Sequence, residues 1–265
     1  MSGPLPLTDA NATTNGTAEP KLDAVSSVSP TEAPLTEPWS VNSVLSTLPN
    51  PTPTTPPTTP IPFLHLLERL KTTKREGWRR FGITHGESIS DHMYRMSIIT
   101  LLAPPSLSNT LNIPHCTKMA LVHDMAEALV GDITPVDGIT KEEKSRREAE
   151  TMGYLSETLL GKWGGGEQGR EIRDVWEEYE EGKTRESVFV HDVDKIELLL
   201  QMVEYERRGP EEAKGKLDLG EFAHVARKIQ GSEVKEWARD VLREREEFWK
   251  GRGENATMLG AGKEL

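Results

Sequence analysis

The sequence contains a single cysteine, Cys116, among its 265 residues. One thiol forms neither an internal disulfide nor a thiolate zinc cluster, so any metal here must be held by histidine, aspartate and glutamate. The chain also lacks an apolar run near the roughly 20 residues that cross a bilayer. Its N-terminus has neither the charged start nor the apolar centre of a signal peptide. These absences predict an intracellular protein, in the cytoplasm or also in the nucleus, with no membrane partner.

Basic residues are scarce as well: 32 Lys and Arg stand against 43 Asp and Glu, for a net charge of −11. A protein that binds nucleic acid generally derives its affinity from neutralising phosphates, so this balance argues against a nucleic acid polymer as partner. A small anionic ligand is not excluded, because residues 69–80 hold six basic residues and one acid. The local field there opposes the global charge.

Prolines are concentrated at one end, with 12 of the 18 in residues 1–60, where Lys21 is the only basic residue. Such a segment buries too little apolar surface to offset the entropy of ordering it. We therefore predict a disordered Pro/Thr/Ser-rich tail over 1–60, one domain over 61–250 and a flexible C-terminal tail over 251–265. A mitochondrial targeting peptide is disfavoured, because five acids face the one lysine in this segment.

From Pro62 onward, apolar residues recur at helical spacing, and no segment shows the sustained alternation of a strand. This pattern predicts an all-α fold, a helical bundle preceded by the disordered N-terminal extension. The expected helices include residues 116–130, 141–160, 170–181, 187–208, 221–230 and 233–249.

His123 and Asp124 are adjacent polar residues within the apolar string Ala-Leu-Val-His-Asp-Met-Ala-Glu. Burying both costs several kcal/mol unless they are satisfied, and a divalent cation would satisfy both. Glu127 follows on the same side of the predicted helix, and Asp132 comes just after Gly131, which ends it. A buried hydrogen-bond network at the helix end explains the same residues, so this segment alone leaves both interpretations open.

Two more segments combine histidine with acids at the start of an apolar helix. His92 follows Asp91, although Asp91 is equally explained as a helix-start charge. Further along, His191, Asp192 and Asp194 enter the most apolar helix, and spacing does not decide which aspartate would be a ligand. A set of imidazoles and carboxylates suits a divalent ion such as Mn, Co, Mg, Fe or Zn.

A histidine, a His-Asp doublet and a distant aspartate, all on helices, resemble the metal signature of the HD-domain phosphohydrolases; in this chain they are His92, His123, Asp124 and Asp194. The flanking strings are similar to those of the HD-domain 5'-deoxynucleotidases of yeast and other eukaryotes, at residues 71–78, 87–96, 120–127 and 130–135. The resemblance covers about residues 62–250. It implies an HD-domain helical bundle, and it implies that Asp194 is the ligand rather than Asp192.

The resemblance implies metal-dependent hydrolysis of deoxyribonucleoside 5'-monophosphates to deoxyribonucleosides and phosphate, by attack of a metal-bound water. The cofactor would be a divalent cation, Mn, Co or Mg. Glu127 is similar to the family's general base. Asp132 matches the acid that contacts the sugar and would accept a hydrogen bond from its 3'-hydroxyl. These two carboxylates would also be available to a second metal.

Two residues of the basic segment complete the implied site. Arg75 resembles a phosphate-binding arginine, whose planar fork suits two phosphate oxygens. Trp78 resembles an aromatic residue that crowds the 2' position and so excludes a ribose hydroxyl. Without the resemblance, Arg75 is explained equally well as one charge of a solvated surface, and Trp78 as a core residue.

Related enzymes form homodimers, and apolar stripes at Trp176, Tyr179 and Trp237 would support one here, although core packing explains these residues equally well. Two alternative functions stay open: another HD-type phosphohydrolase, acting on cyclic nucleotides or guanosine polyphosphates, and a non-catalytic nucleotide-binding scaffold. The intact ligand set argues against the scaffold. A metalloprotease with a His-Glu-x-x-His motif is excluded, since that string does not occur.

Overall fold

The computed structural model describes residues 38–50, 52–209 and 216–257. Over these residues the chain forms helices and no strand, apart from an isolated antiparallel bridge between Lys74 and Ser88. The α-helices are α1 (Val41–Thr47), α2 (Ile61–Leu66), α3 (Glu68–Thr72), α4 (Glu76–Arg79), α5 (Ile89–Leu101), α6 (Pro105–Ser108), α7 (Ile113–Val122), α8 (Glu127–Val130), α9 (Lys141–Gly153), α10 (Glu167–Glu181), α11 (Arg185–Arg208) and α12 (Ser232–Gly251). The predicted all-α fold is confirmed for this part of the chain.

Three helices, α5, α7 and α11, pack against one another and form the centre of the domain. Many residues on their inward faces are apolar and buried, including Met96, Met119, Leu199 and Met202, each 0% exposed. The helices α10 and α12 pack on the outside of this trio. Burial of these faces is the main stabilising contribution, because the hydrophobic effect scales with the apolar area removed from water.

Helix α5 begins with a capping box at Ser88. The Ser88 hydroxyl accepts a hydrogen bond from the Asp91 backbone N–H, and the Asp91 carboxylate accepts from the Ser88 backbone N–H at 2.8 Å. Both residues satisfy helix-end donors that would otherwise lack partners. Asp91 is therefore a helix-start residue, while the next residue, His92, turns into the core.

The predicted helix over 116–130 is interrupted: α7 ends at Val122, and α8 begins at Glu127. Between them the chain tightens, with the Met125 N–H bonded to the Val122 carbonyl (2.9 Å) and the Glu127 N–H bonded to the Asp124 carbonyl (3.0 Å). At three residues per turn, side chains three apart lie on the same side. This tightening directs the side chains of Asp124 and Glu127 the same way.

Two other predicted helices also differ in type. The segment predicted over 221–230 is a 3-10 helix, Gly220–Lys228, and the segment predicted over 141–160 continues from α9 into a π-helical turn, Tyr154–Leu159. Periodicity in the sequence identifies a helical stretch but does not distinguish these hydrogen-bonding patterns, because they differ by only one residue per turn or less.

The structure corrects the tail boundary at residue 60. Residues 1–37 lie outside the described residues, but α1 falls within the predicted tail and contacts the domain. Val41 is 5% exposed, and its backbone N–H donates to Glu150 at 2.8 Å. Further along, the Tyr154 hydroxyl donates to the Pro53 carbonyl at 2.9 Å. Contacts to α9 and to the π-helical turn therefore hold parts of this stretch against the domain despite its composition.

Residues 252–257 of the predicted C-terminal tail also contact the domain. Helix α12 continues to Gly251, and the buried Arg245 donates a hydrogen bond to the Thr257 carbonyl at 2.9 Å. Residues 258–265 of the predicted flexible tail lie outside the described residues. None of the helices in the described part of the chain is both long and apolar enough to cross a membrane.

Candidate metal centre and substrate cavity

Side chains from three separate helices meet at the centre of the domain. His92 from α5, His123 from the end of α7 and Asp194 from α11 have candidate ligand atoms that all lie within 4.8 Å of one another. His92 Nε2 lies 3.3 Å from Asp194 Oδ1. The packing of α5, α7 and α11 thus brings together residues that are up to 102 positions apart in the sequence.

Asp124 extends this group. Its Oδ2 atom lies 3.1 Å from His123 Nε2, 3.7 Å from His92 Nε2 and 3.2 Å from the guanidinium Nη1 of Arg75. The four residues that the sequence singles out as metal ligands are therefore neighbours, and Arg75 joins them.

The two aspartates that spacing did not separate have different environments. Asp192 is 1% exposed and accepts hydrogen bonds from the backbone N–H groups of Gln230 (3.0 Å) and Gly231 (2.7 Å). Asp194 faces His92 instead. Residues two apart on an α-helix point about 200° away from each other, so only one of the pair can reach the histidines.

The donor set fits a divalent cation. His92 is 0% exposed, and its Nε2 atom makes no hydrogen bond to any described residue. A buried polar atom without a partner costs about 1–3 kcal/mol, and this one faces two carboxylates and a second imidazole. Imidazole nitrogens and carboxylate oxygens are the ligands that borderline and hard divalent ions prefer.

The charges at this centre perturb its pKa values strongly. Burial and the positive charge of Arg75 lower the pKa of His92, but Glu197 and Asp194 outweigh both and raise it to about 10. Burial raises the pKa of Asp124, yet the opposing effects of His123 and Arg75 hold it well below its usual range. The carboxylates of this centre therefore favour a positive charge between them.

Glu127 and Asp132 lie beside this centre, and both line a cavity of about 560 Å³. Glu127 is 3% exposed, and its Oε2 atom makes no hydrogen bond to a described residue. Burial raises the pKa of Glu127 well above its usual value, and the charges of Asp124 and Asp132 raise it further. Asp132 Oδ2 accepts a hydrogen bond from the Glu76 backbone N–H at 2.6 Å.

Trp78 is both a core residue and a cavity wall. It is 3% exposed, and its Nε1–H donates to Glu87 Oε1 at 2.8 Å. Its ring lies 5.3 Å from that of Tyr205 and 4.6 Å from that of Phe222. The two explanations that the sequence offered for Trp78 are compatible, because the indole is fixed by packing on one side and borders the cavity on the other.

Sequence reasoning missed several residues of the site. Lys144 and Glu148 of α9 and Phe222 of the 3-10 helix also line the cavity. Glu197, which is 0% exposed, lies 2.6 Å from His92 Nδ1. The sequence indicated Glu197 only by its position, as an acid in the most apolar helix, one turn after Asp194.

The apolar stripe that the sequence offered for a dimer interface is largely internal. Trp176 is 5% exposed and Tyr179 is 7% exposed, so both belong to the core, and Trp237 packs against the core while partly buried. Tyr179 also lies against His123, with ring centroids 4.8 Å apart. These residues are explained by packing, as the alternative had allowed.

Comparison with known proteins adds a family to this geometry. The HD domain family model matches residues 67–237. The 5'-deoxynucleotidase hdd1 of Schizosaccharomyces pombe is 47% identical over 190 residues, which cover 71% of this chain and 91% of that protein. The 5'-deoxynucleotidase YGK1 of Saccharomyces cerevisiae is 44% identical over 187 residues, covering 71% of this chain and 83% of that protein.

Solved structures show the same fold. The HD domain-containing protein YGK1 matches with a TM-score of 0.56 and 33% identity, covering 80% of this chain and all of that one. A conserved hypothetical protein from Pyrococcus furiosus matches with a TM-score of 0.55 and 26% identity, over 70% of this chain and 98% of that one.

Proposed function

Since the chain belongs to the HD domain family, we propose that it is a metal-dependent 5'-deoxynucleotidase, which hydrolyses deoxyribonucleoside 5'-monophosphates to deoxyribonucleosides and phosphate. The observation that carries the proposal is the convergence of His92, His123 and Asp194 beside a cavity of nucleotide size. The relatives named 5'-deoxynucleotidase, 47% and 44% identical to this chain, support the same activity.

The cofactor of an HD domain is a divalent metal ion, and the residues that would hold it here are His92, His123, Asp124 and Asp194. Among divalent ions, we propose Mn, Co or Mg, on the strength of the resemblance to the HD-domain 5'-deoxynucleotidases. When bound, such an ion supplies a Lewis acid that polarises the phosphoryl group and lowers the pKa of water. Glu127 and Asp132 are the carboxylates available to a second metal ion.

Hydrolysis forms a bond from a water oxygen to phosphorus and breaks the bond between phosphorus and the 5'-oxygen, which takes up a proton and leaves as the 5'-hydroxyl of the deoxyribonucleoside. In the proposed mechanism Glu127 accepts the proton of the attacking water at Oε2, which is buried and makes no hydrogen bond to a described residue. In the metal-free protein, burial and the charges of Asp124 and Asp132 raise the pKa of Glu127, and a bound cation would lower it again, so that the carboxylate could accept a proton.

Arg75 and Asp132 would hold the two ends of the substrate. Arg75 Nη1 lies 3.2 Å from Asp124 Oδ2, so its guanidinium is directed toward the centre where the phosphate would lie. A guanidinium donates two parallel hydrogen bonds to phosphate oxygens. Asp132 is anchored through Oδ2 by the Glu76 N–H, which leaves Oδ1 to accept a hydrogen bond from the 3'-hydroxyl.

Trp78 would select deoxyribose over ribose. The indole is held by Glu87, Tyr205 and Phe222, and Trp78 is 3% exposed, so these contacts oppose movement of the ring. A 2'-hydroxyl directed at this wall would clash with it. Discrimination of this kind is exclusion by a rigid surface.

A panel of nucleotides tests the proposed function. Purified protein would be treated with EDTA, supplied with Mn, Co or Mg, and incubated with dAMP, AMP, cAMP and a guanosine polyphosphate. We expect phosphate release from dAMP, little from AMP and none in EDTA. Turnover of cAMP or the guanosine polyphosphate instead of dAMP would indicate the other HD-type phosphohydrolases, and nucleotide binding without turnover would indicate a scaffold.

We also propose that the protein is an intracellular, cytoplasmic homodimer. Helix α5 exposes an apolar stripe, with Tyr94 at 66%, Ile98 at 39% and Leu101 at 59% exposed. Contiguous exposed apolar surface is typical of interfaces, and a twofold dimer uses one patch twice. Light scattering would give a dimer for the unmodified protein and a monomer for Ile98→Glu; a monomer in both cases would contradict the proposal.

A further inference from the structure

Glu197 is a completely buried carboxylate whose two oxygens serve different partners. Its Oε2 atom lies 2.6 Å from His92 Nδ1, and its Oε1 atom accepts a hydrogen bond from Arg95 Nε at 2.9 Å. It lies on α11, one turn after Asp194. We propose that Glu197 is a positioning residue, which fixes the ring of His92 so that Nε2 presents its lone pair to the metal ion.

The inference follows from the hydrogen-bonding chemistry of imidazole. A histidine that binds a metal ion is neutral, with one N–H and one nitrogen that carries a lone pair, and a carboxylate only accepts hydrogen bonds. Glu197 therefore requires the proton on Nδ1, which leaves the lone pair on Nε2. That atom faces Asp194 Oδ1 at 3.3 Å and Asp124 Oδ2 at 3.7 Å. Because His92 is 0% exposed, bulk water has no access to orient the ring.

The position of Glu197 is itself held from the surface side by Arg95. The guanidinium also donates to Gln201 Oε1 at 2.8 Å and to Glu204 Oε2 at 2.7 Å, so it connects three residues of α11. His123 has a different arrangement, since its Nδ1 lies 3.0 Å from the backbone carbonyl of Ala120. A backbone carbonyl is unchanged by substitution of side chains. Of the two proposed histidine ligands, His92 is the one whose orientation depends on a replaceable acid.

The change Glu197→Gln tests this dependence with little change in volume. Arg95 only donates hydrogen bonds, so it will hold the amide oxygen and turn the amide nitrogen toward His92. An amide N–H opposite Nδ1 favours the proton on Nε2, where it would block coordination. Loss of such a supporting acid typically weakens metal affinity by about 10–100-fold, and we expect a weakening of that size here.

The matched control is Glu204→Gln. This acid also binds Arg95, but its side chain is 47% exposed and has no contact with His92. The substitution removes one negative charge from the same cluster, as Glu197→Gln does. Because an exposed ion pair contributes little, the dissociation constant for Mn should stay within about twofold of the unmodified value. A loss equal to that of Glu197→Gln would mean that Arg95, and not the His92 ring, mediates the effect, and would overturn the inference.

The experiment is isothermal titration of Mn into metal-free protein, with circular dichroism to verify that each variant is folded. This inference rests on the proposed metal site, and the titration separates the two. If the unmodified protein binds no Mn, the site is wrong and the inference falls with it; if Glu197→Gln binds Mn as tightly as the unmodified protein, the inference alone is wrong. Should Glu197→Gln not fold, Glu197→Asp retains an acceptor at a greater distance and should bind Mn with reduced affinity. Unchanged affinity in Glu197→Asp would then overturn it.

Discussion

Asp192 and Asp194 lie two residues apart on α11, yet their carboxylates hold different parts of the protein. Asp192 accepts hydrogen bonds from the backbone N–H groups of Gln230 and Gly231, just before α12 begins. It thereby fixes the connection into that helix. Asp194 faces His92 at 3.3 Å. A structural acid and a proposed metal ligand are therefore neighbours in the sequence and separate in space.

Substituting these two residues in turn should separate stability from metal binding. Asp192→Ala removes the acceptor of two partly buried backbone N–H groups and should lower the free energy of unfolding by about 1–3 kcal/mol. Asp194→Ala should abolish Mn binding while the unfolding free energy of the metal-free protein is not lowered. Urea denaturation and calorimetric titration measure the two quantities. Retained Mn affinity in Asp194→Ala would contradict its assignment as a ligand.

Replacing Glu127 by glutamine should lower kcat by about 10²–10⁴-fold, because the amide no longer accepts a proton. If Glu127 acts only as a base, the dissociation constant for the first Mn ion stays near its unmodified value. The change is to be measured by phosphate release from dAMP together with metal titration. A kcat within threefold of the unmodified enzyme would exclude Glu127 as the general base.

The sugar selectivity should depend on the size of the residue at position 78. Trp78→Phe removes part of the wall beside the cavity, so turnover of AMP should rise relative to that of dAMP. Because the pocket is enlarged only slightly, we expect the ratio of the two to change by about tenfold or less. Phe81→Leu is the control, since Phe81 packs on Phe222 at 5.6 Å and is outside the cavity lining. A ratio of kcat/KM values that is the same in all three proteins would refute the exclusion argument.

Glu148 should make the stability of the metal-free protein depend on pH. Burial raises its pKa from 4.5 to about 7, against the lowering effect of Lys144. The folded state thus binds this proton more tightly than the unfolded state. The resulting stabilisation is complete below pH 4.5 and is lost as the pH rises through about 7.

Glu148→Gln removes this titration. As the pH rises from 5 to 8, the unfolding free energy of the variant should increase relative to that of the unmodified protein by about 1–3 kcal/mol. Urea denaturation in EDTA at both pH values measures the difference. The same pH dependence in both proteins would show that Glu148 is not the group responsible.

The helical class could be predicted from the sequence because it depends on local patterns. The same patterns indicated His92, His123 and Asp124 as candidates, whereas the choice of Asp194 and the proposed roles of Arg75 and Trp78 came from the family resemblance. Apolar spacing identified α10, α11 and α12 to within about three residues, and the absence of cysteine ligands restricted any metal site to imidazole and carboxylate. Boundaries that depend on few contacts were wrong. Composition predicted no order in α1, yet Val41 is buried and its backbone N–H donates a hydrogen bond to Glu150 of α9.

The sequence by itself determined which residue types were available: helices with apolar faces, a His-Asp doublet, and acids near it. Only the tertiary structure decided which of them meet. His92 and Glu197 are 105 positions apart, and no periodicity within either helix relates them. Packing of α5 against α11 sets that distance, just as packing of α10 turned Trp176 and Tyr179 from a candidate interface into core. Helical periodicity is local, whereas the convergence of buried polar groups depends on how whole helices pack.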